Sequence, residues 1–119
     1  MNIPDSHPRA ESLRIRHQVL EGIEAGITSM SGAIAQGRGE AFDYLLGEKT
    51  HSFAHEAITA AAAHLILAHR PVISVNGNSA VLVPGEMIKL AGIIPARLEV
   101  NISHSSKERE QRIANHLAA

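Results

Sequence analysis

Two short β-branched runs, Val72-Ile73-Ser74-Val75 and Leu98-Glu99-Val100-Asn101-Ile102, limit what this chain can fold into more than any other feature. Pro71 and Asn76-Gly77-Asn78 bound the first run, which has the composition of a buried strand closed by a tight turn. Between the runs an apolar segment opens at Pro84 and continues to about Leu90, and proline is favoured in the first turn of a helix. Strand, helix and strand in that order form a βαβ unit, and such a unit requires a parallel sheet. Both runs contain Val-Asn, at Val75-Asn76 and Val100-Asn101. Asn76 and Asn101 are therefore expected together at the carboxyl edge of the strands, where open α/β sheets bind ligands, with Asn78 beside them. Asparagines at strand ends also cap the helices that follow, and the residue type alone does not separate the two roles.

The first seventy residues read as helical. Ser6-His7-Pro8-Arg9 opens a helix expected to run to about Ala25, with Gly26 as its stop. Steps of three and four along it give Arg9, Leu13, Arg16, Leu20, Ile23 and Ile27, a line that places two arginines among core-facing residues. A guanidinium cannot be neutralised, and breaking a buried pair around one costs ~3–5 kcal/mol, so Arg16 needs an anion. That anion is a ligand or one of Glu40, Asp43 and Glu48; Arg9 is either solvent-exposed or a second phosphate contact.

Gly26 to Gly39 is small and flexible in composition, and Glu40 to Leu46 reads as a short helix closed by Gly47. Arg38 then sits at the end of a loop between Gly37 and Gly39. Flanking glycines let a ligand approach, and the guanidinium offers fork-shaped donors to phosphate or carboxylate. The competing reading pairs Arg38 with Glu40 or Asp43 across a surface turn. Glu40 and Asp43 could also orient Arg38, accept from a ribose hydroxyl or hold Mg²⁺ through water.

Thr50 can cap the next helix, whose half from Ala60 to Ala68 is apolar nearly all round and so is expected to be buried. Its four alanines, Ala60 to Ala63, would also permit close helix contact, which supports a purely structural dimerisation reading. Ser105-Ser106-Lys107-Glu108 matches a capping box before a helix carrying Ile113 and Leu117. Residues 1–119 thus form a single α/β unit, mainly helical over 1–70 and strand-helix-strand-helix over 71–119. With only two recognisable strands and a last helix that lacks a stop signal, the sheet is expected to be incomplete.

Composition excludes several function classes. Net charge is −1 and the three aromatics do not alternate with lysines or arginines, which disfavours nucleic acid. The absence of cysteine removes thiolate metal sites and cysteine nucleophiles, and it suits a reducing, cytoplasmic setting. Met1-Asn2-Ile3-Pro4-Asp5 has neither a cationic nor an apolar targeting region, and no apolar run reaches membrane-spanning length. His51 and His55 stand four apart, yet no glutamate follows the first as in H-E-x-x-H, so no metal site is assigned. His64 reads as a core histidine, and His7, beside Arg9, carries more weight as a site residue.

Taken in order, Ile3-Pro4 with Ser6-His7-Pro8-Arg9 and Glu11-Ser12-Leu13, Ile34 through Tyr44 with Gly47-Glu48, and Pro71 through Asn78 with Leu82-Val83-Pro84 carry a family resemblance. The chain resembles the archaeal phosphopantothenate synthetases, also called 4-phosphopantoate–beta-alanine ligases, over nearly its whole length. The family's proteins are longer, with a C-terminal half that adds nucleotide-binding segments, so the chain reads as an N-terminal half with a Rossmann-like sheet. The resemblance implies condensation of 4-phosphopantoate with beta-alanine in coenzyme A synthesis, with ATP cleaved to AMP and pyrophosphate, Mg²⁺ as the companion ion and a homodimer as the assembly. It assigns ATP contacts to the positions of Arg16 and Arg38. His7, Arg9, Gly37, Gly39, Glu40, Asp43, Asn76, Asn78 and Asn101 remain candidates for lining the site. The alternative is a nucleotide- or anion-binding module, or a truncated remnant, without catalysis.

Overall fold

The computed structural model describes residues 3–119; Met1 and Asn2, the start of the segment read above for targeting, lie outside the described residues. The chain forms α1 (Ala10–Glu24), α2 (Met30–Leu46), α3 (Ser52–Leu67), β1 (Val72–Val75), α4 (Gly77–Leu82), α5 (Pro84–Ile93), β2 (Arg97–Val100) and α6 (Lys107–Ala118). The sheet is parallel, as the strand-helix-strand pattern requires, with Val72 opposite Arg97 and Val75 opposite Val100. Asn101 N–H continues the ladder by donating to Val75 O at 2.8 Å. The result is a mixed α/β, Rossmann-like arrangement whose two-stranded sheet is open.

The crossover differs from the expected single helix. Asn76-Gly77-Asn78 is the start of α4 rather than a tight turn, because Asn76 Oδ1 accepts from Ser79 N–H at 3.0 Å and caps a helix directly after the strand. Gly77 is required there: a Cβ would lie 2.8 Å from Ile27 O and 2.9 Å from Thr28 Cα, so α4 can approach the α1–α2 connection only without one. The core forms around this junction, with Ile27, Val75, Ala80 and Ile113 buried and Val81, Leu98, Val100 and Leu117 packed on them.

The helical half corrects three expectations. α1 begins at Ala10, four residues after Ser6, and buries Ser12, Val19 and Gly22. Its core line therefore runs one position before the one read above, leaving Leu20 43% exposed and the Arg16 side chain 45% exposed at the flank. Gly26 does end it, at φ +70°. α2 is one continuous helix through Gly37-Arg38-Gly39, so no loop precedes Glu40. Ala33 to Gln36 are compatible with a helix, and two interior glycines weaken one without breaking it. Gly47 closes it at φ +85°.

α3 is the third correction. Its cap is His51 rather than Thr50, and its apolar surface is exposed, including Phe53, Ile58, Ile66 and Leu67. No described element covers it, and the exposed Phe42, Leu45 and Leu46 at the end of α2 extend the same apolar character. The radius of gyration is 15.8 Å, larger than the ~13.5 Å of a compact domain of this length. Ser106, one residue beyond the expected start of the capping box, caps α6 by accepting from Arg109 N–H at 3.4 Å.

Candidate functional site

Two constellations share helix α2, on different faces. The first joins α1 to α2 through Glu40, whose side chain is 4% exposed. Arg9 Nη2 donates to Glu40 Oε1, Arg16 Nη2 donates to Oε2 at 2.6 Å, and the Tyr44 hydroxyl donates to Oε1 at 3.2 Å. Arg9 also lies over the Tyr44 ring, 5.4 Å from its centroid, in a cation–π arrangement. Hydrogen bonds from Arg9 and then Arg16 outweigh desolvation and hold the Glu40 carboxyl at a pKa of about 2. The bond to Glu40 in turn raises the pKa of Arg9.

Glu40 is thus the anion that Arg16 requires, as the paired reading anticipated. It is not a partner of Arg38, because residues two apart on a helix point to different sides. It is also a poor Mg²⁺ ligand: both oxygens face guanidiniums, whose charge opposes a further cation. Among the described residues no group of three or more histidines, aspartates or glutamates is arranged to hold a metal. The residues here do not build a Mg²⁺ site of their own.

The second constellation is a cleft of about 350 Å³ beyond the carboxyl ends of β1 and β2. Thr28, Ser29, Ser31, Gly32 and Ala35 form one wall, Asn76 to Asn78 a second, and Ile102 to His104 with Arg109 a third. Asn78 ties two of these walls together. Its Nδ2 donates to Gly32 O at 2.8 Å, and its Oδ1 accepts from Thr28 Oγ1 at 2.6 Å. A side chain is excluded at Gly32 as well, since a Cβ would collide with Asn78 Oδ1 and Thr28 Oγ1. Asn76 caps α4 and lines the cleft, whereas Asn101 lies just past β2 with an exposed side chain and is not among the lining residues.

Arg38 occupies the α2 face that carries Ser31 and Ala35, at the i, i+4, i+7 spacing, one turn beyond the cleft wall. It is exposed and makes no ion pair with the described residues, so the pairing with Glu40 or Asp43 expected of a surface turn does not form. Gly37 and Gly39 have open space where a Cβ would stand. Asp43 is exposed near the end of α2. His7 Nδ1 accepts from Arg9 N–H at 3.0 Å, which organises the turn leading into α1.

The structure therefore brings Arg9, Arg16 and Glu40 together and aligns Arg38 with the cleft, while leaving Asp43 and Asn101 apart. Sequence reasoning missed Thr28, Ser29, Ser31, Ser103, His104 and Arg109. The hydroxyls of Thr28 to Ser31 before and within the first turn of α2 were a readable signal, but the third wall converges on them only through the sheet.

The family described as phosphopantothenate/pantothenate synthetase matches residues 53–119, which contain the strands and two walls of the cleft. A 4-phosphopantoate–beta-alanine ligase of Thermococcus kodakarensis is 53% identical over 117 residues, covering 98% of this chain and 45% of that protein. The ligases of the same name from Thermococcus onnurineus and Methanosarcina mazei are 51% and 52% identical, over 98% and 99% of the chain and 45% and 47% of their own lengths. The chain spans about half the length of these curated relatives. On the family match and these identities, the chain belongs to the phosphopantothenate/pantothenate synthetase family.

Proposed function

We propose that the protein is an ATP-dependent ligase that condenses 4-phosphopantoate with beta-alanine to give 4′-phosphopantothenate, AMP and pyrophosphate. The relatives' name supplies the two substrates. The observation that carries the reading is the cleft beyond the parallel strands, which is lined by hydroxyls, His104 and Arg109 and by no carboxylate, with Arg38 on the adjoining helix face. Such a lining suits anionic reactants.

A carboxylate is a poor acylating group, so the chemistry needs it activated. One oxygen of the 4-phosphopantoate carboxylate attacks the α-phosphorus of ATP and pyrophosphate leaves with the bonding pair. The amine of beta-alanine then attacks the carbonyl carbon, AMP leaves, and the amine proton passes to solvent. Neither step needs a covalent protein nucleophile. Guanidiniums stabilise charge on the phosphoryl oxygens, and Arg16, held by Glu40, and the exposed Arg38 take that role toward ATP. Glu40 engages one nitrogen of Arg16 and leaves the rest of its guanidinium fork to a ligand. Mg²⁺, when it accompanies ATP, shares that charge, held mainly by the nucleotide's own phosphates.

A cytoplasmic place in archaeal coenzyme A synthesis follows from the same reading. A homodimer does too, and the uncovered apolar surface of α3 is the feature that supports one. The reaction is tested by incubating the protein with ATP, Mg²⁺, 4-phosphopantoate and beta-alanine. AMP formed in proportion to product, and only when both acids are present, is the expected result; ATP hydrolysis independent of the acids would contradict it. A second reading, an anion- or nucleotide-binding unit without catalysis, predicts saturable ATP binding with no AMP.

A further inference from the structure

Glu40 offers two carboxylate oxygens to three donors, and the donors divide unequally between them. Oε1 accepts from Arg9 Nη2 and from the Tyr44 hydroxyl at 3.2 Å, whereas among the described residues Oε2 accepts only from Arg16 Nη2, at 2.6 Å. A carboxylate oxygen has about two lone-pair positions, so Oε1 is filled and cannot take a second nitrogen of Arg16. A bidentate arginine–carboxylate pair needs a free position on each oxygen, and it forms readily where both are open. Here one oxygen is taken, and Arg16 is held through a single nitrogen. Its other N–H groups make no bond among the described residues, and its side chain is partly exposed.

Tyr44 is what keeps Oε1 occupied. It stands one turn after Glu40 on α2, and helical side chains lean towards the N-terminus, which brings the hydroxyl back to the carboxylate. Its ring lies against the Arg9 guanidinium, whose Nε is buried without a hydrogen-bond partner among the described residues. Arg9 is therefore retained by the ring and by Oε1. Tyr44 is itself exposed, so burial in a core does not account for a tyrosine at this position.

We propose that Tyr44 is a positioning residue for the nucleotide: by keeping Oε1 occupied, directly and through Arg9, it prevents Glu40 from chelating Arg16 and leaves most of that guanidinium to the phosphates of ATP. The role of Arg16 toward ATP rests on the ligase reading; the restraint on its pairing does not. Without the hydroxyl, one position on Oε1 opens, Glu40 closes on two nitrogens of Arg16, and fewer donors remain for a ligand. A cluster that only joined α1 to α2 would not depend on which oxygen each arginine takes.

The test is Tyr44→Phe, which removes one hydroxyl, keeps the ring against Arg9 and changes no charge. Titration calorimetry should show ATP binding weakened roughly 3- to 10-fold, about the worth of one hydrogen bond, and turnover should show a raised KM for ATP at constant kcat. Thermal stability should hold, because the bond lost at the hydroxyl is replaced by a second one to Arg16. Nitrogen-15 spectra of the Arg16 guanidinium should show slowed rotation in the variant. Glu40→Gln, whose amide cannot chelate a guanidinium, should abolish the effect of Tyr44→Phe on ATP. Unchanged ATP binding in Tyr44→Phe, where Arg16→Gln weakens it, overturns the proposal and keeps the nucleotide role of Arg16. An effect of Tyr44→Phe that persists in Glu40→Gln also overturns it, since the tyrosine would then act by another route. ATP binding indifferent to Arg16→Gln removes the nucleotide role, and the spectra then decide the restraint alone: slowed rotation sustains it and unchanged rotation overturns it. Should Tyr44→Phe fail to fold, Arg9→Gln takes its place, with the same expected direction and the same contradicting results.

Discussion

At the scale of single residues, Glu40 shows how a buried acid can be both a structural link and a positioning group. It faces Arg9, Arg16 and Tyr44 at once, so it joins α1 to α2 while fixing one side of a guanidinium proposed to meet ATP. Its carboxyl, held at a pKa of about 2 by the two arginines, gains a proton in the unfolded chain near 4.5. The stability it contributes is therefore complete above about pH 4.5 and is lost as pH falls through about 2. Thermal unfolding followed across that window should show a fall in Tm that Glu40→Gln removes, with the variant already less stable at pH 7 by about 1–3 kcal/mol. A pH profile unchanged by the substitution would contradict the pairing. The need of Arg16 for an anion was legible in the sequence, but its depth was not. The stripe was misplaced by one position, because Gly22 packs α1 closely against Val81 of α4 and turns Ser12, Val19 and Gly22 inward.

At the scale of elements, the reliable signals were those that break or cap a backbone. Pro71, Pro84, Gly26 and Gly47 marked real boundaries, because each fixes or frees a dihedral angle locally, and Asn76 marked one through its side-chain cap. The element whose extent was most misread was α2, where Gly37 and Gly39 suggested a loop and the structure continues the helix. Local composition cannot settle this, since the tertiary anchor of Glu40 on α1 favours the helix and lies more than twenty residues from its partners. Both glycines have open space around the missing Cβ. Gly37→Ala and Gly39→Ala should each stabilise the fold by about 0.5–1 kcal/mol, read from chemical denaturation. If the glycines admit a nucleotide beside Arg38, the same substitutions should raise the KM for ATP; stabilisation with unaltered KM would show that they serve neither approach nor loop. Gly32→Ala should instead destabilise, because its Cβ meets the Asn78–Thr28 bond that joins two walls of the cleft. The walls from β2 and α6 were not legible, since His104 and Arg109 reach the cleft only once β2 is paired with β1.

At the scale of the whole molecule, the chain has a small core around Val75 and Ile113 and a large uncovered apolar helix. The reading of α3 as buried followed soundly from its composition, but the surface that would bury it is not supplied by the described residues. A second copy of the chain is the occupant proposed here, and Ile58→Asp or Ile66→Asp should shift the mass measured by light scattering from dimer to monomer. A dimer insensitive to both substitutions would place the interface elsewhere. The central claim is activation of a carboxylate by adenylation, and oxygen transfer tests it most directly. With 4-phosphopantoate labelled by ¹⁸O in its carboxylate, mass spectrometry of the products should find one labelled oxygen in AMP for each 4′-phosphopantothenate formed. Label in orthophosphate together with ADP, or AMP free of label, would contradict it.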